Sequence, residues 1–275
     1  MYQKIKYISH IKDDFDVVLS GVNGVFAYGD NVDNEAIDAL IKLYQSGKKV
    51  VLASNSGMRV SDLYYLLKRK NVPMNIFYAM ITAGEIAHWY LRNNLNLGHS
   101  YYNLSSKPSK TMAGLDYEVT ESPVMADFIL IESDSEGIDS EKAFPVLEQA
   151  LHLQLPIVCV GNNTSLMSAD GVVVGAGALA EKYAMMGGQI LPFGKPDTKI
   201  AAYLTEGISG FEPSRCLVIG DCMATDMRMG SHFGAQTLFL TGGVHQISGD
   251  IEQRLNDLSE SYGLNVDYYM EKLQW

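Results

Sequence analysis

Two carboxylates, Asp221 and Asp226, lie in Gly220-Asp221-Cys222-Met223-Ala224-Thr225-Asp226, directly after the apolar run Cys216-Leu217-Val218-Ile219. A buried strand that ends in acids, behind a glycine that lets the backbone come close, offers the hard oxygen donors that Mg²⁺ prefers. The same residues also suit an Asp-rich turn in which Asp226 caps the next helix. Lys195, in Phe193-Gly194-Lys195-Pro196-Asp197, reads on its own as a solvent-facing side chain. Ser54 follows Lys49-Val50-Val51-Leu52-Ala53 and reads on its own as the N-cap of the next helix. The six histidines show no paired metal spacing, so each reads as structural or exposed.

These residues need a scaffold that brings distant segments to one place. Asp16-Val17-Val18-Leu19-Ser20 leads through a Gly- and Asn-rich turn (Gly29, Asp30, Asn31, Asp33, Asn34) into Glu35 to Tyr44, where apolar residues recur at helical spacing until Gly47. The run ending at Ser54-Asn55-Ser56-Gly57 precedes a helix with Leu63, Leu66 and Leu67 on one face. Near the C-terminus, Gln236-Thr237-Leu238-Phe239-Leu240 stops at Thr241-Gly242-Gly243. Continuous apolar strands alternating with helices predict a largely parallel sheet with both faces covered. In open sheets of this kind the ligand site lies beyond the carboxyl ends of the strands, which puts Gly21, Ser54, Asp221 and Thr241 on one rim. The middle of the chain carries its own strand-like runs, Phe128 to Ile131 and Pro156 to Val160, and a helix from Glu141 to Leu153. It reads as a second α/β lobe inserted into the first, over residues 98–187, with Ser105 to Lys110 as loop.

With 275 residues, 47% of them hydrophobic and 19% charged, the chain is long enough and apolar enough to bury a sizeable core. The net charge of −11 and the lack of clustered Lys and Arg beyond Lys68-Arg69-Lys70 argue against a nucleic-acid partner. That short basic run fits the solvated end of a helix. Three cysteines without a CxxC pair fit a reducing cytoplasm. No stretch approaches the roughly 20 apolar residues that cross a bilayer, and the N-terminus does not resemble an export signal.

In sequence order, the strand ending at Gly21, the strand ending in Ser54-Asn55, Gly194-Lys195-Pro196, and Gly220-Asp221 through Thr225-Asp226 resemble the four motifs of the haloacid dehalogenase (HAD) superfamily. Ile81 to Glu85, Gly175 to Leu179 and Phe233 to Val244 make the likeness closest to its NagD-like branch. The resemblance covers nearly the whole chain. It implies an α/β fold with a Rossmann-like parallel-sheet core, residues 1–97 and 188–275, and an inserted α/β cap, residues 98–187. It also implies a Mg²⁺-dependent phosphohydrolase site. Asp221 would be a side-chain metal ligand, Asn23 would give its backbone carbonyl, and Asp226 would be a more distant or water-mediated ligand. Ser54 and Asn55 would contact phosphate, and Lys195 would balance its charge. Homodimerisation through the cap is a further expectation of the resemblance.

The chain departs from that pattern where it matters most. The family's first motif usually ends Asp-x-Asp-Gly, its first acid attacking phosphorus and its second serving as acid and base; here these positions read Gly21 and Asn23. Glycine cannot attack, and an amide is not a general acid. Loss of one anionic ligand also weakens Mg²⁺ binding. The expectation is a pseudoenzyme that binds a phosphorylated small molecule or a protein partner through Lys195, Ser54 and the Gly21 to Val25 backbone. The alternative is a phosphatase that uses a metal-bound water, or Asp30 if its loop folds inward. Ser20 alternates to the opposite face from Gly21. In the cap, Asn162-Asn163-Thr164 stands where the family usually has Asn-Pro-Asp, so no particular substrate is inherited.

Overall fold

The computed structural model describes the whole chain except residues 1, 106, 133–137, 169–170, 198, 201–202 and 204–206. The loop expected at 105–110 therefore lies partly outside the described residues. The chain forms two compact units, one of Met1–Ser54, Tyr64–Ile81 and Lys195–Trp275, the other of Asn55–Leu63 and Thr82–Gly194.

The first unit is built on a seven-stranded sheet. Its strands run in the order Gln3–Lys4, Tyr268–Met270, Gln236–Leu240, Cys216–Gly220, Val17–Ser20, Lys49–Ser54, Phe77–Thr82. Every pair with a defined register is parallel. All residues of Val17–Ser20 and Cys216–Gly220 are buried, because helices cover both faces of a parallel sheet, and this is why those stretches read as unbroken apolar runs. The helix Asn34–Gln45 starts where the Asp33 side chain accepts from the N–H groups of Glu35 and Ala36. It buries Ala36, Ile37, Ala39, Leu40 and Leu43, each leucine contributing on the order of 2 kcal/mol. Gly47, at φ +85°, turns the chain away beyond its end. Between Gly21 and this helix the turn expected from composition is a small hairpin, Ala27–Tyr28 against Asn31–Val32, closed by Gly29-Asp30.

The second unit holds a five-stranded sheet in the order Ile190–Phe193, Ile157–Val160, Phe128–Glu132, Ser100–Asn103, Glu118–Thr120, with parallel registers throughout. Its two faces follow the period of two in the sequence. Ile129, Ile131, Ile157 and Cys159 pack with the helices Ser140–His152 and Ala176–Met185, whereas Phe128, Leu130, Val158 and Val160 pack with the helix Ala83–Asn93.

That last contact moves the division of the chain away from the boundaries expected at 97/98 and 187/188. Ala83, Ala87 and Leu91 form a stripe at i, i+4, i+8 that is buried against the second sheet, so the longer segment of the second unit opens at Thr82. It closes at Gly194 because Ile190–Phe193 is an edge strand of the same sheet.

Candidate functional site

The sheet register brings three of the expected positions to one edge. Val17–Ser20 lies between Cys216–Gly220 and Lys49–Ser54, with Ser20 level with Ile219 on one side and with Leu52 on the other. Gly21, Asp221 and Ser54 therefore leave the sheet at the same end. The Gly21 N–H donates to the Ile219 carbonyl at 2.9 Å, continuing the ladder one residue further.

Nothing in the backbone demands glycine at position 21. Its φ lies outside the left-handed region, and an added Cβ would meet a Val25 methyl at 3.0 Å, the Ile219 carbonyl at 3.5 Å and Asp226 Oδ1 at 3.6 Å. An added Cβ would thus press first on Val25 and lie within van der Waals reach of Asp226. Ser20 is buried and donates its hydroxyl proton to the Gly21 carbonyl.

Asp221 is enclosed by backbone. A Cβ on Gly24, at φ +76°, would fall 1.9 Å from Asp221 Oδ2, and one on Gly243 would fall 2.1 Å from its Cβ. Such close approach leaves room for glycine alone. The Val244 N–H donates to Asp221 Oδ2 at 2.7 Å. Burial, followed by the negative charge of Asp226, raises the Asp221 carboxyl pKa well above the usual range, against the opposing pull of the Val244 N–H and Lys195.

After Asp221 the chain makes a single π-helical turn, Met223–Met227, with the Met227 N–H reaching the Cys222 carbonyl at 3.2 Å. The turn directs Asp226 back over Gly220, whose added Cβ would lie 2.1 Å from Asp226 Cγ. Lys195 Nζ donates to Asp226 Oδ1 at 2.6 Å. Both readings that treated these residues singly are thereby corrected. Lys195 is buried rather than solvent-facing, and Asp226 spends its carboxylate on that ammonium, while no side chain caps the following helix Arg228–Phe233.

The other expected residues are placed differently. Ser54 is buried at the end of its strand. Asn55 belongs to the second unit, where its Nδ2 donates to Asn163 Oδ1 at 2.6 Å. Asn23 is exposed, its backbone bridged to Ala27. Asp30 is fully exposed at the tip of the hairpin, 3.6 Å from Lys70 Nζ, which does not suit a nucleophile. Sequence reasoning named Gly24 only as part of the Gly21 to Val25 loop and missed Val244 and His245 as site residues. The Thr241-Gly242-Gly243-Val244 run was visible as a family mark, and two adjacent glycines after a buried strand are the signal that a backbone comes close.

As a cation site the donor chemistry is right and the donor count is low. Asp221 and Asp226 give hard oxygens, yet among the described residues no group of three or more His, Cys, Asp or Glu could hold a metal. This set suits a weakly held Mg²⁺ that keeps several waters.

The model of HAD-hydrolase-like proteins matches residues 192–261, the stretch that carries Lys195, Asp221 and Asp226. The chain is 24% identical over 284 residues to glycerol-3-phosphate phosphatase of Gallus gallus, covering 94% of this chain and 89% of that protein. The crystal structure of a haloacid dehalogenase-like hydrolase from Brucella suis 1330 has the same fold. Its TM-score is 0.81 at 23% identity, over 98% of this chain and 99% of that one. A putative nagD protein has a TM-score of 0.69 at 18% identity, over 94% and 96% of the two chains.

Proposed function

We propose that this chain, a haloacid dehalogenase-like protein of the NagD-like branch, binds a phosphorylated small molecule and does not cleave it by the covalent aspartyl route. The observation that carries this reading is Gly21. The backbone there does not require glycine, an added Cβ pressing only on the Val25 methyl, yet the position presents no carboxylate to attack phosphorus. Removing a nucleophile held at attack distance costs several kcal/mol of barrier lowering, about 7–11 kcal/mol where proximity effects are fully used. The name of the avian relative, a glycerol-3-phosphate phosphatase, supports a phosphomonoester as the ligand class. A cytoplasmic location and a homodimer complete the reading. The location rests on the three free cysteines, the dimer on the family resemblance. Among the described residues no helix is long and apolar enough to cross a membrane.

The charges at the site refine how such a ligand is held. The resemblance has Lys195 balancing the charge of a phosphate. Instead Asp226 already pairs with Lys195, and Asp221 adds a second carboxylate. A phosphate dianion meets a site that is neutral or negative, so binding requires a divalent cation. Mg²⁺, held by Asp221, Asp226 and the Asn23 carbonyl, would supply that positive charge. Ser54 would then donate to a phosphate oxygen. The N–H groups of Gly21, Gly24 and Val25 turn inward to Ile219, Ala27 and Val22, so Val22 and Asn23 are the loop's candidates to contact the anion.

A second reading is a slow phosphohydrolase in which a metal-activated water replaces the missing nucleophile. Retention of both Asp221 and Asp226 favours it. Calorimetric titration with inorganic phosphate tests the binding proposal. Saturable binding in Mg²⁺ that disappears with chelator and in Lys195→Met supports it, whereas equal binding without a cation, or none with it, overturns it.

A further inference from the structure

The loop after the strand Gln236–Leu240 touches the acidic turn at two points. Val244 reaches the Asp221 carboxylate, and one residue later His245 Nε2 accepts the Met223 N–H at 3.2 Å. Met223 opens the π-helical turn, so its N–H is one of those that a helical start leaves without an acceptor in the turn itself. An imidazole nitrogen that accepts carries no proton, which places the ring proton on Nδ1. The ring sits between Phe239 and Tyr262, with centroids 5.8 and 6.0 Å away, and its burial favours the neutral form.

We propose that His245 is a positioning residue that fixes the turn between Asp221 and Asp226 by accepting the Met223 N–H, and so sets where a cation-bound phosphate is held. The part that concerns phosphate rests on the function proposed above; the hold on the turn does not. Filling the space between Phe239 and Tyr262, tilted to one and edge-on to the other, needs only an aromatic ring. The nitrogen facing Met223 is what packing alone leaves unexplained.

Two variants separate these roles in the intact chain. His245→Phe keeps the ring and removes the acceptor, while His245→Gln supplies an acceptor oxygen on a flexible side chain. Amide hydrogen exchange across 222–227 is expected to quicken about tenfold in His245→Phe, the order of one lost hydrogen bond, and to return close to native in His245→Gln. Affinity for inorganic phosphate in Mg²⁺ should fall and recover in the same order. Unchanged exchange in His245→Phe, or equal acceleration in both variants, overturns the proposal. If His245→Phe does not fold, His245→Gln decides: native-like exchange supports the hold on the turn and faster exchange overturns it. A native chain that binds no phosphate in Mg²⁺ refutes the proposed function, and the exchange result then decides the role of His245 alone.

Discussion

Lys195 Nζ lies 2.6 Å from Asp226 Oδ1, with the two side chains only 6% and 4% exposed. Lys195 opens the last segment of the first unit and Asp226 ends the acidic turn, so one ion pair ties that segment's start to the turn beside the edge where Gly21 leaves the sheet. In this chain the ammonium is balanced from within the protein before any ligand arrives.

A buried charge left without its partner is costly. Lys195→Met should therefore lower unfolding stability by about 3–5 kcal/mol, whereas replacing both partners, Lys195→Met with Asp226→Leu, should lower it less than either single change. Urea unfolding of the three variants and the native chain gives the comparison. Additive losses would mean that the pair is not coupled.

The glycines of the site should respond in opposite ways. Gly24→Ala places a Cβ 1.9 Å from the Asp221 carboxylate at a φ of +76°, and a loss of about 2 kcal/mol or more is expected. Gly21→Ala meets only the Val25 methyl at close range and should change stability by less than about 1 kcal/mol. A Gly21→Ala chain as damaged as Gly24→Ala would mean that glycine at position 21 serves the fold and not the chemistry.

Asp221 should make the metal-free protein less stable as pH rises. Burial, with Asp226 second, pushes its carboxyl up to about 7 in the folded chain, against about 3.9 when unfolded. The folded state thus holds the proton more tightly. The group costs nothing below the unfolded value, stability falls as pH climbs from there through the folded value, and the full cost persists above it. In chelator, Asp221→Asn should raise Tm at about pH 8 and change it little at about pH 4. Added Mg²⁺ should stabilise the native chain and not the variant. An equal shift at both pH values would remove ionisation as the cause.

Much of this was legible in the residues because parallel strands buried on both faces write continuous apolar runs. Val17–Ser20 and Cys216–Gly220 could be read directly, and with them the edge where Gly21 and Asp221 lie. The stripe Ala83, Ala87, Leu91 says that a helix face is buried but not against which sheet, so the second unit begins earlier than expected. The hairpin strands Ala27–Tyr28 and Asn31–Val32 have two residues each, too few for any periodicity to register. The burial of Lys195 and the acceptor role of His245 arise only when segments far apart in the chain meet, and neither leaves a local pattern.

On the function proposed above, catalysis is missing only what positions 21 and 23 lack. Phosphomonoester turnover in Mg²⁺ should be compared between the native chain and Gly21→Asp/Asn23→Asp, with Asp221→Ala as control. The native chain should show no turnover above background and the double variant measurable turnover. Robust native turnover that Asp221→Ala abolishes would contradict it and make a metal-activated water the working nucleophile.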